Sequence, residues 1–266
     1  MAEPPLHYDV RGEGPVLLVI PGGAGHPMGL EPMTDVLAEH FTVVTYDPLG
    51  LAHGRLGPPV HDQRVEEWSE GAYRVLQRTL PDGDFAYVLG TSSGGIAALD
   101  LLARHPRRLR HVVAHEPPCV GVLPDGERQR AVFRRVYDTY RAAGLQAAGA
   151  RLGAGLAGRE AGELPPGRPL SRDEELGRPM AVFLAHVLVP FSSYTPDLTA
   201  LTSRLTLAAG ADSRGQLLHR TAEFVADRTG SDLVEFPGGH LGAVEHPVAF
   251  AERLMATLLP VARESR

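Results

Sequence analysis

The sequence predicts an α/β fold, a doubly wound and mostly parallel sheet that is interrupted by a helical insertion. Short apolar segments typical of buried strands alternate with helical segments toward both ends of the chain. Residues 119–196 break this alternation, because they contain helical stretches and no convincing strand. Residues 85–99 predict a strand that turns into a helix through glycines, almost without a loop. In such a sheet we expect the functional loops at the carboxyl ends of the strands.

The individual elements follow from the period of the apolar residues. Runs rich in aliphatic and aromatic residues predict strands at residues 6–11, 16–20, 41–46, 85–89, 109–114, 205–209 and 233–236. Helical periodicity predicts helices at residues 30–39, 66–79, 128–143, 174–187, 216–228 and 247–259, besides the helix after the glycine turn. We therefore expect an α/β core in two parts, residues 1–118 and 197–266, and a helical cap at residues 119–196.

Composition and charge restrict the classes of function. The chain has 266 residues, a net charge of -6 and no lysine, which argues against nucleic acid as a partner and excludes Schiff-base chemistry on this chain. No segment has the apolar length that spans a membrane, and residues 1–5 do not resemble a signal peptide. The single Cys119 permits no internal disulfide, so we expect a cytoplasmic protein.

The glycine turn after the fourth predicted strand carries a candidate nucleophile. It has the form Gly-x-Ser-x-Gly, with Ser92 between Gly90 and Gly94. Glycines at these positions let the neighbouring backbone pass close to a serine in a strained conformation. Ser93 is the rival, but Thr91 stands where its preceding glycine should be. The pattern therefore predicts Ser92 as the nucleophile.

A histidine and two carboxylates follow other strands at the same edge of the predicted sheet. His240 comes after the last strand and a Gly-Gly turn, so it is the candidate base. Glu116 ends the strand after the serine helix, and Asp212 follows the strand after the insertion. Either carboxylate could hold the far nitrogen of His240 and stabilise its imidazolium. The spacing alone does not rank the two.

Two backbone N–H groups are candidates for an oxyanion hole. The N–H of Ser93 lies at the start of the serine helix, where the helix dipole favours negative charge. Gly23 belongs to the glycine-rich loop after the second predicted strand, where backbone groups can approach a ligand closely. We expect these two groups to bind the developing oxyanion together.

Six stretches of the chain carry a resemblance to a known family. They are His-Tyr-Asp-Val-Arg-Gly-Glu-Gly-Pro at 7–15, Ile-Pro-Gly-Gly at 20–23, Tyr-Asp-Pro at 46–48, Gly-Thr-Ser-Ser-Gly at 90–94, Ala-His-Glu-Pro-Pro at 114–118 and Phe-Pro-Gly-Gly-His at 236–240. With them the chain resembles the α/β-hydrolase superfamily over nearly its whole length, and within it the small actinobacterial esterase-like hydrolases with a helical cap. The resemblance implies the α/β-hydrolase fold.

A more distant similarity links the chain to the zearalenone lactonases. Those enzymes also have a Ser-Ser-Gly elbow and a His-Glu-x-Pro stretch whose glutamate is the triad acid. The similarity favours Glu116 over Asp212 as the acid. It also supports Gly23 and Ser93 as the oxyanion pair.

Together these features predict a serine hydrolase that cleaves a carboxylic ester or lactone through an acyl-enzyme, with no cofactor. No spacing of His, Cys and carboxylate residues matches a zinc motif, so we expect no metal site. The insertion is expected to roof a pocket for a small apolar ester or lactone, and its candidate lining residues are Phe183, Leu184, His186, Val187 and Tyr194. The alternative is a hydrolase-fold ligand receptor or a non-hydrolytic cyclase or isomerase.

Overall fold

The computed structural model describes residues 6–24, 29–50, 60–201 and 203–259. Seven strands form one sheet in this part of the chain. They are β1 (His7–Arg11), β2 (Val16–Ile20), β3 (Thr42–Asp47), β4 (Ala86–Thr91), β5 (Leu109–His115), β6 (Leu205–Gly210) and β7 (Asp232–Phe236). Their spatial order is β1-β3-β2-β4-β5-β6-β7. β1 pairs antiparallel with β3 and the other pairings are parallel, so the predicted doubly wound, mostly parallel sheet is confirmed.

Helices cover both faces of the sheet. They are α1 (Glu31–Leu37), α2 (Val65–Thr79), α3 (Ser93–Arg104), α4 (Gly126–Leu156), α5 (Arg172–Leu176), α6 (Pro179–Val182), α7 (Leu188–Ser193), α8 (Leu217–Thr229), α9 (Gly242–Glu245) and α10 (Pro247–Leu258). Successive strand residues point to opposite faces. Accordingly Leu18 belongs to an apolar cluster with buried residues of α2, α3 and α8, whereas Leu17 and Val19 belong to a second cluster with those of α1 and α10. These two apolar layers hold the strand ends, and hence the loops that follow them, in place.

The segment between β5 and β6 is helical, as predicted. α4 breaks at Gly144, which has φ 81° and ψ -167°, so the predicted helix at 128–143 ends where the first half of α4 ends. A Cβ at Gly155 would lie 2.6 Å from Cγ1 of Val132, so the two halves of α4 pack against each other. The extent of the cap at residues 119–196 stays a prediction.

The helix predicted at residues 174–187 is instead divided into shorter pieces. α5 ends before Gly177, and Pro179 begins α6, because a proline has no N–H to continue the preceding helix. Residues Phe183–Val187 form a π-helical turn that leads into α7. Helical periodicity does not reveal this division, since α6, the π-helical turn and α7 together still present one apolar side.

Within the described residues, no helix combines the length and the apolar character that crossing a membrane requires.

Candidate active site

Ser92 lies at the junction of β4 and α3, at the carboxyl edge of the sheet. It is the residue immediately before α3, with φ 53° and ψ -122°. A positive φ is strained for a residue with a Cβ, and such strain is concentrated at functional sites. The turn places the serine hydroxyl at the carboxyl edge of the sheet, beyond the last residue of β4 that pairs with its neighbouring strands.

The glycines on either side of Ser92 are required by close backbone contacts. A Cβ at Gly94 would lie 2.1 Å from the carbonyl oxygen of Ile20, and a Cβ at Gly90 would lie 2.4 Å from the carbonyl oxygen of Gly94. Real Cβ atoms essentially never come this close to backbone. The Gly-x-Ser-x-Gly pattern therefore has a steric cause here, because α3 starts directly against β2 and β4.

Ser92, His240 and Glu116 form one chain of hydrogen bonds. Nε2 of His240 lies 3.1 Å from Oγ of Ser92, and Nδ1 of His240 lies 2.8 Å from Oε2 of Glu116. An ionised Glu116 accepts a hydrogen bond from Nδ1–H of His240, so Nε2 carries no hydrogen and can accept a hydrogen bond from the Ser92 hydroxyl. This arrangement can deprotonate Ser92 and stabilise the imidazolium that results.

Glu116 is fully buried and held by three donors. Besides His240, the backbone N–H of Gly210 donates to Oε1 at 3.0 Å, and the Ser213 hydroxyl donates to the same oxygen. Burial acts to raise the pKa of Glu116, but the hydrogen bond from His240, the electrostatic influence of His115 and His240, and the hydrogen bond from Ser213 together outweigh it and lower that pKa to about 2. The carboxylate is therefore ionised at neutral pH. Its own φ of 45° is positive, like that of Ser92.

Asp212, the other candidate acid, lies beside this network without joining it. It sits in a short 3-10 turn, Ala211–Ser213, directly after β6, and it is exposed. Its backbone N–H donates to the carbonyl oxygen of Gly238, while Nδ1 of His240 is already paired with Glu116. The structure thus brings Glu116, and not Asp212, to the histidine.

His115 lies behind the histidine–glutamate pair, in an apolar surrounding. Its ring packs against Phe236 and Phe250 at centroid distances of 6.0 and 5.1 Å, and lies 6.4 Å from the ring of His240. Neither ring nitrogen has a hydrogen-bond partner among the described residues. Burial lowers the pKa of His115 to about 4, so this side chain is neutral at physiological pH.

The two candidate oxyanion residues are neighbours. A Cβ at Gly23 would lie 3.0 Å from Oγ of Ser93 and 2.2 Å from Cδ2 of Phe183, so only a glycine fits between them. Ser93 is the first residue of α3, where the N–H groups have no acceptor within the helix. A negative oxygen between the two backbones would also lie at the positive end of the α3 dipole.

A cavity of about 480 Å³ adjoins Ser92 and His240. Its lining is mostly aliphatic and aromatic, and it includes no Asp, Glu or Arg among the described residues. Polar side chains are few, and the lining residues that carry them are Thr91, Ser92, Ser93, Ser192, Gln216 and His240. A volume of this size holds a molecule of drug-like dimensions.

Two of the five predicted lining residues lie in this cavity, Phe183 and Leu184. The structure places the other three elsewhere. His186 lies between Glu175 and Asp62, with nitrogen–oxygen distances of 3.1 and 3.2 Å. The remaining two are turned to the junction with the core: Val187 is buried in the main apolar cluster, and Tyr194 donates to Oδ1 of Asp100 at 2.5 Å. These three side chains belong to the packing of the helical segment.

Most of the lining was not predicted from the sequence. The additional apolar side chains are Leu30, Phe133, Leu152, Leu156, Met180, Leu188, Phe191, Leu218, Leu241 and Val244. They come from five helices, α4, α6, α7, α8 and α9, and from the positions just before α1 and α9, so no single periodic pattern marks the whole set. Within single helices the spacing is readable, since Leu152 and Leu156 of α4 are four residues apart and Leu188 and Phe191 of α7 are three apart.

The part of the chain that the structure describes contains no group of three or more His, Cys, Asp or Glu side chains that could hold a metal ion.

A family model of the α/β hydrolase fold matches residues 15–187. The chain therefore belongs to the α/β-hydrolase family, and the resemblance noted in its sequence is confirmed. The uncharacterized hydrolase YraK of Bacillus subtilis is 31% identical over 258 residues, which cover 94% of this chain and 90% of YraK. A zearalenone hydrolase of Bionectria ochroleuca is 29% identical over 113 residues, or 42% of this chain and 43% of that enzyme.

Solved structures of other hydrolases share the fold. An esterase from Thermogutta terrifontis superimposes with a TM-score of 0.68 at 17% identity, covering 95% of this chain and 92% of the esterase. The enol-lactonase from Burkholderia xenovorans LB400 has a TM-score of 0.61 at 18% identity, covering 95% of this chain and 96% of the lactonase. At these identities the likeness concerns the fold alone.

Proposed function

We propose that this protein hydrolyses a carboxylic ester or lactone through a covalent intermediate on Ser92. The observation that carries the proposal is the hydrogen-bonded chain from Oγ of Ser92 through His240 to a buried, ionised Glu116. A serine hydroxyl is a weak nucleophile at neutral pH unless an adjacent base removes its proton. The three residues supply a nucleophile, a base and an orienting acid in hydrogen-bonding contact.

The reaction proceeds in two stages. Oγ of Ser92 attacks the carbonyl carbon while Nε2 of His240 takes the hydroxyl proton, and the backbone N–H groups of Gly23 and Ser93 hold the oxyanion. His240 then gives the proton to the departing alkoxide. The acyl group remains bound to Oγ of Ser92 as an acyl-serine. A water molecule, deprotonated by His240, then attacks the acyl carbon, the bond from that carbon to Oγ of Ser92 breaks, and His240 returns the proton to Oγ as the acid is released. The carboxylate of Glu116 stabilises the imidazolium in both stages.

The cavity supports an uncharged, largely apolar substrate. Its lining carries no Asp, Glu or Arg within the described chain, and an ionised substrate group would lose hydration there without gaining a partner. We propose Phe183 and Leu184 as substrate contacts and residues 119–196 as the cap that covers them. The names of the relatives, an esterase, a lactonase and a zearalenone hydrolase, support esters and lactones as the substrate class.

Covalent labelling with a fluorophosphonate, together with turnover of p-nitrophenyl esters, tests the proposal. Wild-type protein should bind one equivalent of the probe and turn over at least one ester, whereas Ser92→Ala should lose both activities. Ser192→Ala is a matched control, because Ser192 also lines the cavity but its hydroxyl donates to the carbonyl oxygen of Val189 rather than to His240. If wild type and Ser92→Ala were both inert, while an apolar ligand bound tightly without turnover, the receptor alternative would replace the hydrolase proposal.

A further inference from the structure

The cavity reaches solvent beside the second half of α4 and the turn after His240. Gly149 and Gly153 line the cavity and are exposed. Leu241 and Val244 also line it, and they are 47% and 37% exposed. Residues that line a cavity and also face solvent mark its opening. The mouth of the cavity is therefore formed by two bare helix positions and two exposed aliphatic side chains.

The mouth uses one face of α4. Gly149, Leu152, Gly153 and Leu156 have the spacing i, i+3, i+4 and i+7, which places them on the same side of a helix. All four line the cavity. We call these four residues the glycine face. It presents helix backbone between two leucine side chains.

Packing does not explain the two glycines of this face. A Cβ at Gly149 or Gly153 would meet nothing within 4 Å. Other glycines of α4 are required by contact: a Cβ at Gly144 would lie 2.0 Å from the carbonyl oxygen of Arg168, and one at Gly155 would press on Val132. Glycine is also unfavourable inside a helix. What the two positions provide is room at the cavity mouth.

We propose that the glycine face is a substrate-binding groove that selects esters with an extended apolar chain or ring system. This inference rests on the proposed hydrolase function and names the substrate part that reaches beyond the cavity. The chain would leave the neighbourhood of Ser92 and pass over the bare backbone at Gly149 and Gly153, with Leu241 and Val244 as further apolar contacts. An acetyl group offers the groove no apolar chain.

Charged substitutions at the glycine face test the groove. Gly149→Glu and Gly153→Glu add bulk and a carboxylate that an apolar chain would have to desolvate. Ala150→Glu is the matched control, because Ala150 is an exposed neighbour on α4 that does not line the cavity, and its substitution changes the net charge equally. The readout is the ratio of kcat/KM for p-nitrophenyl decanoate to that for p-nitrophenyl acetate.

The ratio should fall at least tenfold in both glycine variants and stay within twofold of wild type in Ala150→Glu. An unchanged ratio in the glycine variants, or an equal fall in the control, would overturn the groove. Circular dichroism melts show whether each variant is folded.

A binding measurement keeps the test independent of hydrolysis. In the Ser92→Ala background, the uncharged dye Nile red should bind at least fivefold more weakly when Gly153→Glu is added, and Ala150→Glu should leave its affinity unchanged. Equal affinities would reject the groove. If instead binding responds as expected while wild type hydrolyses neither ester, the groove stands and the proposed hydrolase function fails.

Discussion

Two residues at the active-site edge adopt strained backbone conformations, and both belong to the proposed triad. Ser92 and Glu116 are the non-glycine residues with positive φ in the described chain. Each follows a central strand directly, so each side chain is turned out of the ladder toward His240. Strain of this kind costs about 1–3 kcal/mol per residue and persists only where the surrounding contacts enforce it. The backbone at these two positions thus supports their functional assignment.

The acid of the triad gives the first prediction at this scale. Glu116→Gln should lower kcat for an ester substrate by about 10³- to 10⁴-fold, because a neutral amide neither holds the Nδ1–H tautomer nor stabilises the imidazolium. Asp212→Asn should change kcat less than threefold, since its side chain is exposed and Nδ1 of His240 is paired with Glu116. Steady-state kinetics on both folded variants measure this difference. A larger loss of kcat in Asp212→Asn than in Glu116→Gln would mean that Asp212, and not Glu116, is the acid of the triad.

The buried His115 gives a prediction about acid stability. Its folded pKa of about 4 lies below the unfolded value of 6.5, so below pH 6.5 the unfolded chain binds a proton that the folded chain does not. This group therefore removes stability as the pH falls from about 6.5 to 4, by roughly 3 kcal/mol in total at 1.36 kcal/mol per pKa unit. His115→Leu should abolish this part of the acid sensitivity.

Urea unfolding at pH 7, 5.5 and 4.5 measures the effect. The free energy of unfolding of His115→Leu should depend less on pH than that of wild type over this window. His40→Leu serves as the control, because it also replaces a histidine by leucine but at an exposed position. An identical pH dependence in wild type and His115→Leu would contradict the prediction, because it would mean that His115 takes up its proton in the folded protein as readily as in the unfolded chain. Protonation of Glu116 removes further stability as the pH falls from about 4.5 to 2, because its folded pKa is lowered.

At the scale of single elements, α4 shows how one residue type serves opposite purposes. Gly144 breaks the helix with a positive φ and lies against the backbone at Arg168, whereas Gly149 stands in regular helix with open space beside it. The sequence alone does not distinguish the two positions, because both are glycine. The difference lies in the neighbours, which come from a distant part of the chain at the first position and are absent at the second.

Alanine substitutions in α4 separate these purposes. Gly149→Ala should raise the free energy of unfolding by up to about 1 kcal/mol, because alanine is the better helix former and its methyl group meets no atom. Gly144→Ala should lower it by more than about 1 kcal/mol, because the residue must adopt φ 81° and its Cβ would clash with the Arg168 carbonyl. Urea titrations measure both changes. A stabilising Gly144→Ala would mean that α4 straightens in solution.

At the scale of the whole molecule, apolar contacts and a hydrogen bond join the helical segment between β5 and β6 to the rest of the fold. Val187 and Phe191 enter the main apolar cluster, and the rings of Phe191 and Trp68 are 4.6 Å apart. Tyr194 adds a hydrogen bond to the buried Asp100 of α3, the helix that begins beside the nucleophile. These contacts predict that the segment and the sheet unfold together.

Cys119 reports on that junction, because it follows β5 where the chain enters the helical segment. It is fully buried, and burial raises the pKa of its thiol to about 12, so folded protein offers almost no thiolate at pH 8. Ellman's reagent should find no reactive thiol in native buffer and one per chain in denaturant, with the change coinciding with global unfolding. Complete labelling of native protein within minutes would indicate that the segment separates from the sheet while the rest stays folded.

The sequence by itself determined the order of strands and helices and two of the three proposed catalytic residues. These depend on short-range constraints: a buried parallel strand requires a continuous apolar run, and the turn at Ser92 requires glycines two residues away on either side. Ser92 and His240 could both be predicted because each follows such a strand. The residues that shape the turn are adjacent in the chain, so the turn can be predicted from the sequence without knowledge of any tertiary contact.

Only the tertiary structure decided which acid meets His240 and which side chains form the cavity. Glu116 and His240 are separated by 124 positions, and both Glu116 and Asp212 end strands at the same edge. The choice depends on a turn at Gly210–Ser213 that supplies donors to Glu116 and leaves Asp212 in solvent. His186, Val187 and Tyr194 likewise have the right spacing for a pocket wall. Their partners, however, lie on other elements, because side-chain direction within a divided helix is set by packing rather than by periodicity.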